Sequence, residues 1–184
     1  MSRTGPYPGQ VLSWTQPASP LSSTAVSTAP NAHRFPPLPP DRVGPWSRFG
    51  QWEQTYFPGL AGIALEEVRT DYARMRLPFR AEVTQPAGIM HGGAIATLID
   101  TVVVPAIGSG FDEPRRFSTI AMNVQYLGAV RDEDAVAEGW IERRGRSTVF
   151  CRAEVRTASG TLAATASVIY HVSQGAVAPV GNPA

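Results

Sequence analysis

An α+β architecture, with one long helix on one face of a sheet of about six antiparallel strands, is predicted by three patterns in the sequence. A single long helical stripe follows the pair Gly92-Gly93, with apolar Ile95, Leu98, Ile99, Val102 and Ala106 at i, i+3, i+4 spacing. A strand-hairpin pattern precedes that stripe. Four further strand patterns, punctuated by turn residues, follow it.

Each element has its own signal. Residues 1–44 hold nine of the seventeen prolines, many Ser, Thr and Ala, and the cluster Pro36-Pro37-Leu38-Pro39-Pro40. With so few large apolar residues to bury, this segment is expected to be a disordered tail, dispensable for folding and chemistry, before a domain spanning 45–173. Trp46, Phe49, Trp52 and Tyr56 have helical spacing, closed by Pro58-Gly59, and predict a helix over 46–56. The runs 63–68 and 72–77 read as a hairpin turning at Thr70-Asp71. Pro105 should kink or end the central helix near Val104. Strands are expected over 117–127, 135–142, 148–157 and 162–172, with turns at 143–146 and Ser159-Gly160. Within the third of these, Val149, Cys151, Ala153 and Val155 alternate with Arg152, Glu154 and Arg156, so one face is apolar. Residues 174–184 are expected to be a flexible C-terminal tail.

Composition removes several function classes. Net charge is +1, which gives no electrostatic case for nucleic acid or an anionic membrane. Every basic residue is Arg. The longest apolar run, 98–107, is interrupted by Asp100 and Pro105, so no membrane insertion is expected. Arg3 is followed by no apolar stretch of a secretory signal, which favours a cytoplasmic protein. Cys151 is the single cysteine and reads as a buried, inert thiol rather than a nucleophile. His33, His91 and His171 have no partners at ligand spacing, so neither a metal site nor a cofactor is expected.

The stretch 88–101 carries the chemical signal. A helix start with bare glycine N–H groups favours negative charge, and an isolated carboxylate, Asp100, interrupts the apolar run behind it. That pairing suggests acyl transfer or hydrolysis, in which an oxyanion develops on a carbonyl. A nine-residue step from the helix start, about 900° and about 14 Å, sets Asp100 a half-turn out of phase with the glycine turn. Gly92 and Asp100 are then expected to meet only across a two-fold dimer. The plain alternative is a solvated helix carboxylate behind a tight glycine turn.

These residues are also where a resemblance lies. His91-Gly92-Gly93-Ala94, the apolar helix ending Leu98-Ile99-Asp100-Thr101, and the upstream Gln85-x-x-Gly88 closely resemble the hotdog-fold acyl-CoA thioesterases of the phenylacetyl-CoA and 4-hydroxybenzoyl-CoA thioesterase superfamily. The resemblance runs over 45–173 and is most specific at 85–101. It implies a helix wrapped by a curved antiparallel sheet, a homodimer or homotetramer, and hydrolysis of an acyl-CoA thioester without metal. Carried over by position, Asp100 would be the general base for water or the nucleophile, and the Gly92 N–H the oxyanion donor. Gln85 would hydrogen-bond the thioester carbonyl or the water. Thr119 would orient water, with Ser118 pointing to the other face. His91 and Gly93 would shape the turn at the substrate, with His91 structural rather than a base. Arg144 and Arg146, around Gly145 at a hairpin tip also carrying Arg143, would contact the phosphates and nucleotide of CoA; a solvated turn explains those arginines almost as well.

Two rival readings are a non-catalytic acyl-CoA-binding hotdog domain and a dehydratase or hydratase of the same fold. The first usually travels with a DNA-binding helix-turn-helix, which 1–44 lacks. The second resembles a catalytic His paired with an acid on another segment, a pattern not found here.

Overall fold

The computed structural model describes residues 30–173 and 175. A single 3₁₀ turn at Ala32–Arg34 leads to α1 (Pro40–Ser47) and α2 (Phe57–Ala61). The hairpin β1 (Ala64–Arg69) and β2 (Tyr72–Leu77) follows, then a short ribbon of β3 (Thr84–Gln85) and β4 (Ile89–Met90). The long helix α3 (Gly92–Gly108) comes next, then β5 (Phe117–Tyr126), β6 (Ala135–Arg144), β7 (Thr148–Thr157) and β8 (Leu162–Val172). The six long strands form one antiparallel sheet in the order β1-β2-β6-β7-β8-β5. The α+β expectation holds, with one long helix across one sheet face.

Small residues let α3 lie close. Ala73, Ala135, Ala137, Ala153, Ala164 and Ala166 are all buried on the helix-facing side. Gly139 on β6 is the tightest point, where a Cβ would stand 2.8 Å from Val102 Cγ1 and 3.1 Å from Val103 Cγ1. The helix answers with Ile95, Leu98, Ile99, Val102 and Ala106, all buried as the stripe predicts. Burying one such aliphatic side chain contributes about 1.5–3 kcal/mol. Cys151 faces the same core, and burial pushes its thiol up to about 12, so it stays protonated and inert.

The Thr70-Asp71 turn is as expected, with Asp71 in the left-handed region at φ 64°. Pro105 does not end the helix, which continues to Gly108. The missing Pro105 N–H affects only one rung, and packing of Ala106 and Ile107 on the sheet outweighs it. The helix expected over 46–56 is not formed. Gly50, at φ 85°, turns the chain after α1, and Pro58 sits in the first turn of α2 instead of closing a preceding helix. The aromatic residues still meet: Phe49 against Trp52 at 5.0 Å and Trp52 against Tyr56 at 5.3 Å between ring centroids. Their spacing reflects a cluster rather than a helical face.

The expected domain boundary at 44/45 falls inside α1. Residues 31–38 cross the sheet face opposite α3. The Phe35 ring stacks on Tyr72 at 5.3 Å, Ala32 is buried, and Thr70 N–H donates to Pro36 O at 3.1 Å. Buried Glu138 accepts from Tyr72 OH at 2.7 Å and from both Asn31 nitrogens at 3.2 Å. Composition misleads here because the few large residues of the segment land on the apolar patch formed by Tyr72 and Trp140. Residues 1–29 and most of 174–184 lie outside the described residues. Among the described residues, no helix is long and apolar enough to cross a membrane.

A chain shortened to begin at Pro45 should therefore lose about 2 kcal/mol, about 4–8 °C in Tm, by uncovering Tyr72 and Trp140. A thermal melt superimposable on the full chain's would show that 31–38 adds nothing to stability.

Candidate active site

The start of α3 is held by main-chain bonds from two directions. Met90 N–H donates to Val130 O at 2.9 Å, and His91 N–H to Val83 O at 2.8 Å. Gly88, at φ 70°, closes the β3–β4 turn, its N–H donating to Gln85 O at 2.9 Å. His91 is the N-cap, and its Nδ1 accepts the Gly93 N–H at 2.9 Å. The His91 carbonyl takes the Ala94 and Ile95 N–H groups at 2.9 and 3.2 Å. The Gly92 N–H is left without an acceptor among the described residues. An unpaired donor at the positive end of a helix is an anion-binding group. Tyr126 OH donates to Gly92 O at 2.9 Å, and a Cβ on Gly92 would sit 3.5 Å from that ring.

Asp100 lies two turns along. Its Oδ1 accepts from Thr119 Oγ1 at 2.9 Å and from Tyr170 OH at 2.6 Å, while Oδ2 has no hydrogen-bond partner among the described residues. Tyr170 OH also stands 2.9 Å from the Asp100 carbonyl oxygen. The tyrosine is only 3% exposed. Burial, reinforced by the neighbouring carboxylate, raises its phenol far above the usual range, so it remains a donor. Thr119 on β5 is directly opposite Tyr170 on β8, which places both hydroxyls on the helix side of the sheet. Ser118 pairs with exposed His171 and faces away.

The count from Gly92 itself to Asp100 is eight residues, about 800° and about 12 Å. The phase offset is thus about 80°, not the half-turn expected, and axial distance alone keeps the two groups apart. Gly93, Thr97 and Asp100 share one helix face at i, i+4 and i+7. A cavity of about 1000 Å³ opens along that face as far as Thr97, between α3 and the segment carrying Trp52, Phe57 and Leu60. His91, Gly93 and Ala94 also line it, and Asp100 lies one turn beyond. Gln85, on β3, pairs with Ile89, and its side-chain amide has no partner among the described residues.

The arginine-rich tip is elsewhere. Arg144 donates to the Asp71 carboxylate and to Ile107 O at 3.2 Å, with its guanidinium 4.8 Å from the centre of the Phe111 ring. It binds the C-terminal end of α3, where a cation complements the helix dipole, about 25 Å from Gly92 along the 17-residue helix. The residue for which the resemblance implies a phosphate contact thus makes an internal ion pair with Asp71. Gly145 closes the tip through its N–H to Thr148 O at 2.8 Å, where a Cβ would collide with that oxygen. Arg146 sits on the same tip.

Two residues at the site were missed by sequence reasoning, Tyr170 and Tyr126. A signal existed for the first. Ala164, Ala166, Val168, Tyr170 and Val172 alternate as one buried face of β8, and a buried phenol needs a polar partner. Asp100 is the carboxylate on the helix covering that face. No comparable signal marked Tyr126, because its contact depends on an irregularity in β5.

The N-cap geometry predicts that His91→Ala will cost about 1 kcal/mol, through loss of the bond to Gly93 N–H. His91→Asn, which supplies an N-cap oxygen, should recover most of it in a denaturant melt. Equal stability for both variants and the parent would show that the Nδ1 bond is idle.

Comparisons with known proteins bear on the family and the fold. Residues 87–164 match the family model described as Thioesterase superfamily. The "Putative esterase VNG_1336C" of Halobacterium salinarum is 32% identical over 105 residues, which are 54% of this chain and 69% of that protein. Conserved protein PA5202 of Pseudomonas aeruginosa is 28% identical with a TM-score of 0.61, over 65% of this chain and 95% of that one. The E. coli PaaI protein from the phenylacetic acid degradation operon superposes with a TM-score of 0.67 at 15% identity, over 77% and 99% of the two chains. Thioesterase HI1161 of Haemophilus influenzae gives 0.60 at 20%, over 66% and 94%. These last two show a common fold, the hotdog arrangement of one helix on a six-stranded antiparallel sheet. With its match at the helix start and its relative in Halobacterium, the chain belongs to the thioesterase superfamily.

Proposed function

We propose that the protein hydrolyses an acyl-CoA thioester to free acid and CoA, with Asp100 as general base or nucleophile and the Gly92 N–H as oxyanion donor. The observation that carries this reading is the pairing of a carboxylate held through Oδ1 with an unpaired N–H at the start of the same helix. As a base, Asp100 takes a proton from water while hydroxide adds to the thioester carbon. The C–S bond then breaks and the proton passes to the departing sulfur. As a nucleophile, the carboxylate attacks that carbon directly, and water hydrolyses the resulting anhydride. In both, negative charge on the carbonyl oxygen falls to the Gly92 N–H, a donor worth about 3–4 kcal/mol in comparable sites. Gln85 is the second polar group offered to that oxygen or to the water. Gly93 and His91 keep the turn open to substrate.

The site is read as shared between two subunits. β5 is an edge strand, and it and the residue that follows it leave Ile120, Met122, Tyr126 and Leu127 between 37% and 58% exposed. An apolar edge of that length is a pairing surface that a monomer would leave open. Closing it with a second copy would bring one chain's Asp100 towards the other's glycine turn, a homodimer that can pair further into a homotetramer. Arg146 and Gly145 are kept as CoA contacts across such an assembly. A cytoplasmic location suits a CoA ester as substrate.

Thiol release from aryl and aliphatic acyl-CoAs tests the activity. Asp100→Asn should fold normally and lose about 10²–10⁴-fold in kcat. Turnover near that of the parent would remove Asp100 from the mechanism. The shared site has a separate test. Mixing inactive Asp100→Asn with inactive Gly92→Leu chains should restore part of the activity, since one site per heterodimer combines the intact acid and the intact turn. No recovery after verified subunit exchange would place both groups' work within one chain.

A further inference from the structure

We propose that Tyr170 is a positioning residue for the reaction, which by occupying Oδ1 together with Thr119 assigns Oδ2 of Asp100 as the oxygen that reacts. This rests on the reading of Asp100 as the reacting carboxylate.

The geometry points to it in three ways. A carboxylate oxygen has two lone pairs, and Oδ1 receives two donors, Tyr170 OH at 2.6 Å and Thr119 Oγ1 at 2.9 Å. Oδ1 is thereby saturated, while Oδ2 is left without a partner among the described residues. The two donors come from neighbouring strands, β8 and β5, at directly opposite positions, so the carboxylate is tied to the sheet and not only to its own helix. A helix carboxylate left alone samples several rotamers; one fixed through a single oxygen from two strands keeps the other oxygen aimed in one direction. Finally, the Tyr170 hydroxyl meets Asp100 twice, 2.6 Å from its carboxylate and 2.9 Å from its carbonyl oxygen, with the Thr119 hydroxyl as its other neighbour, so the phenol oxygen acts at the site rather than on the fold at large.

The chemical consequence is specific. In the base pathway the O–H bond of water breaks as Oδ2 takes the proton, hydroxide bonds the thioester carbon, and Oδ2 returns the proton to sulfur as the C–S bond breaks. In the nucleophile pathway Oδ2 forms the bond to carbon, and CoA leaves as thiolate. Tyr170 exchanges no proton in either. Its ring fills the core beside Cys151 and its hydroxyl holds Oδ1, so it touches neither the substrate nor the water.

Replacement at position 170 tests this. Tyr170→Phe should lower kcat about 10–100-fold while KM stays within about twofold, since Oδ2 loses its aim but the substrate contacts remain. In the Asp100→Asn background the same change should have no further effect beyond about twofold, because the group that it orients has lost its function. A structural role would slow both backgrounds equally. Two isosteric side chains separate the hydroxyl from the ring if the phenylalanine variant unfolds. 4-Methylphenylalanine fills the same volume with no donor and should be slow; 4-aminophenylalanine retains an N–H donor and should recover at least tenfold over it. Equal kcat for those two, or a Tyr170→Phe enzyme within twofold of the parent, would overturn the assignment. Full activity in Asp100→Asn itself is a different result, and it would defeat the underlying reading of the acid before Tyr170 is considered.

Discussion

Everything at the candidate site depends on how closely α3 can lie on the sheet. Gly139 on β6 takes the flank of Val102 and Val103, where any side chain would hold the helix off, and the alanines of β2, β6, β7 and β8 extend that clearance on both sides. Close packing of this kind leaves little freedom for rotation or sliding. The ends are pinned as well. At one end Val83 O and Val130 O take the last two N–H groups before the helix; at the other, Arg144 binds Ile107 O, and the Ser109 hydroxyl accepts Asp71 N–H at 2.8 Å. Helix rotation, height and axial position are all fixed by contacts made away from the chemistry.

Given that placement, the hydrogen-bond accounting at the helix start leaves one donor available. Four N–H groups at a helix start lack intrahelical acceptors, and they are normally met by caps or solvent. Here His91 Nδ1 takes the Gly93 N–H, and the chain's own first-turn bonds take Ala94 and Ile95. Gly92 remains. A histidine committed through Nδ1 as a cap is poorly placed to serve as base from that nitrogen, which agrees with a structural role. The separation of duties is then clear in one turn of chain: an imidazole that shapes and a glycine that presents its backbone.

Much of this was legible in the sequence, for reasons that differ by element. The core stripe of α3 and the strands β2, β7 and β8 follow from periodicity, which reports burial directly. Thr119 is marked only by the family resemblance, as a residue that would orient water; nothing local distinguishes it from Ser118, and no sequence pattern points to its bond with Asp100. In the aromatic run 46–56, residues three and four apart suggest a shared helical face. Gly50 in a left-handed turn allows the same side chains to cluster without one. Composition misjudged 30–44 because disorder statistics count apolar residues, whereas a few of them suffice when a complementary patch is waiting on a sheet. The internal ion pair of Arg144 depends on Asp71, 73 residues away, and no local pattern encodes such a contact.

The most consequential irregularity is in β5. Thr119 reaches Asp100, and Tyr126 reaches Gly92, so both must face the helix. They are seven positions apart, an odd number, and a regular strand would turn them to opposite faces. The register shifts between Thr119 and Ala121: Thr119 pairs with Tyr170, but Ala121 pairs with Ile169, leaving Ile120 as the extra residue of a bulge. From there Met122, Val124 and Tyr126 pair with Val168, Ala166 and Ala164, the buried, helix-facing set of β8. One inserted residue therefore lets a single edge strand address both ends of the chemistry, the acid with its early half and the oxyanion turn with its late half. It also explains why the strand sits so open, with Ile120 displaced from the regular ladder and Met122 and Tyr126 only partly covered by α3. An edge strand shaped by the site in this way links the geometry of Asp100 and Gly92 to whatever closes that edge.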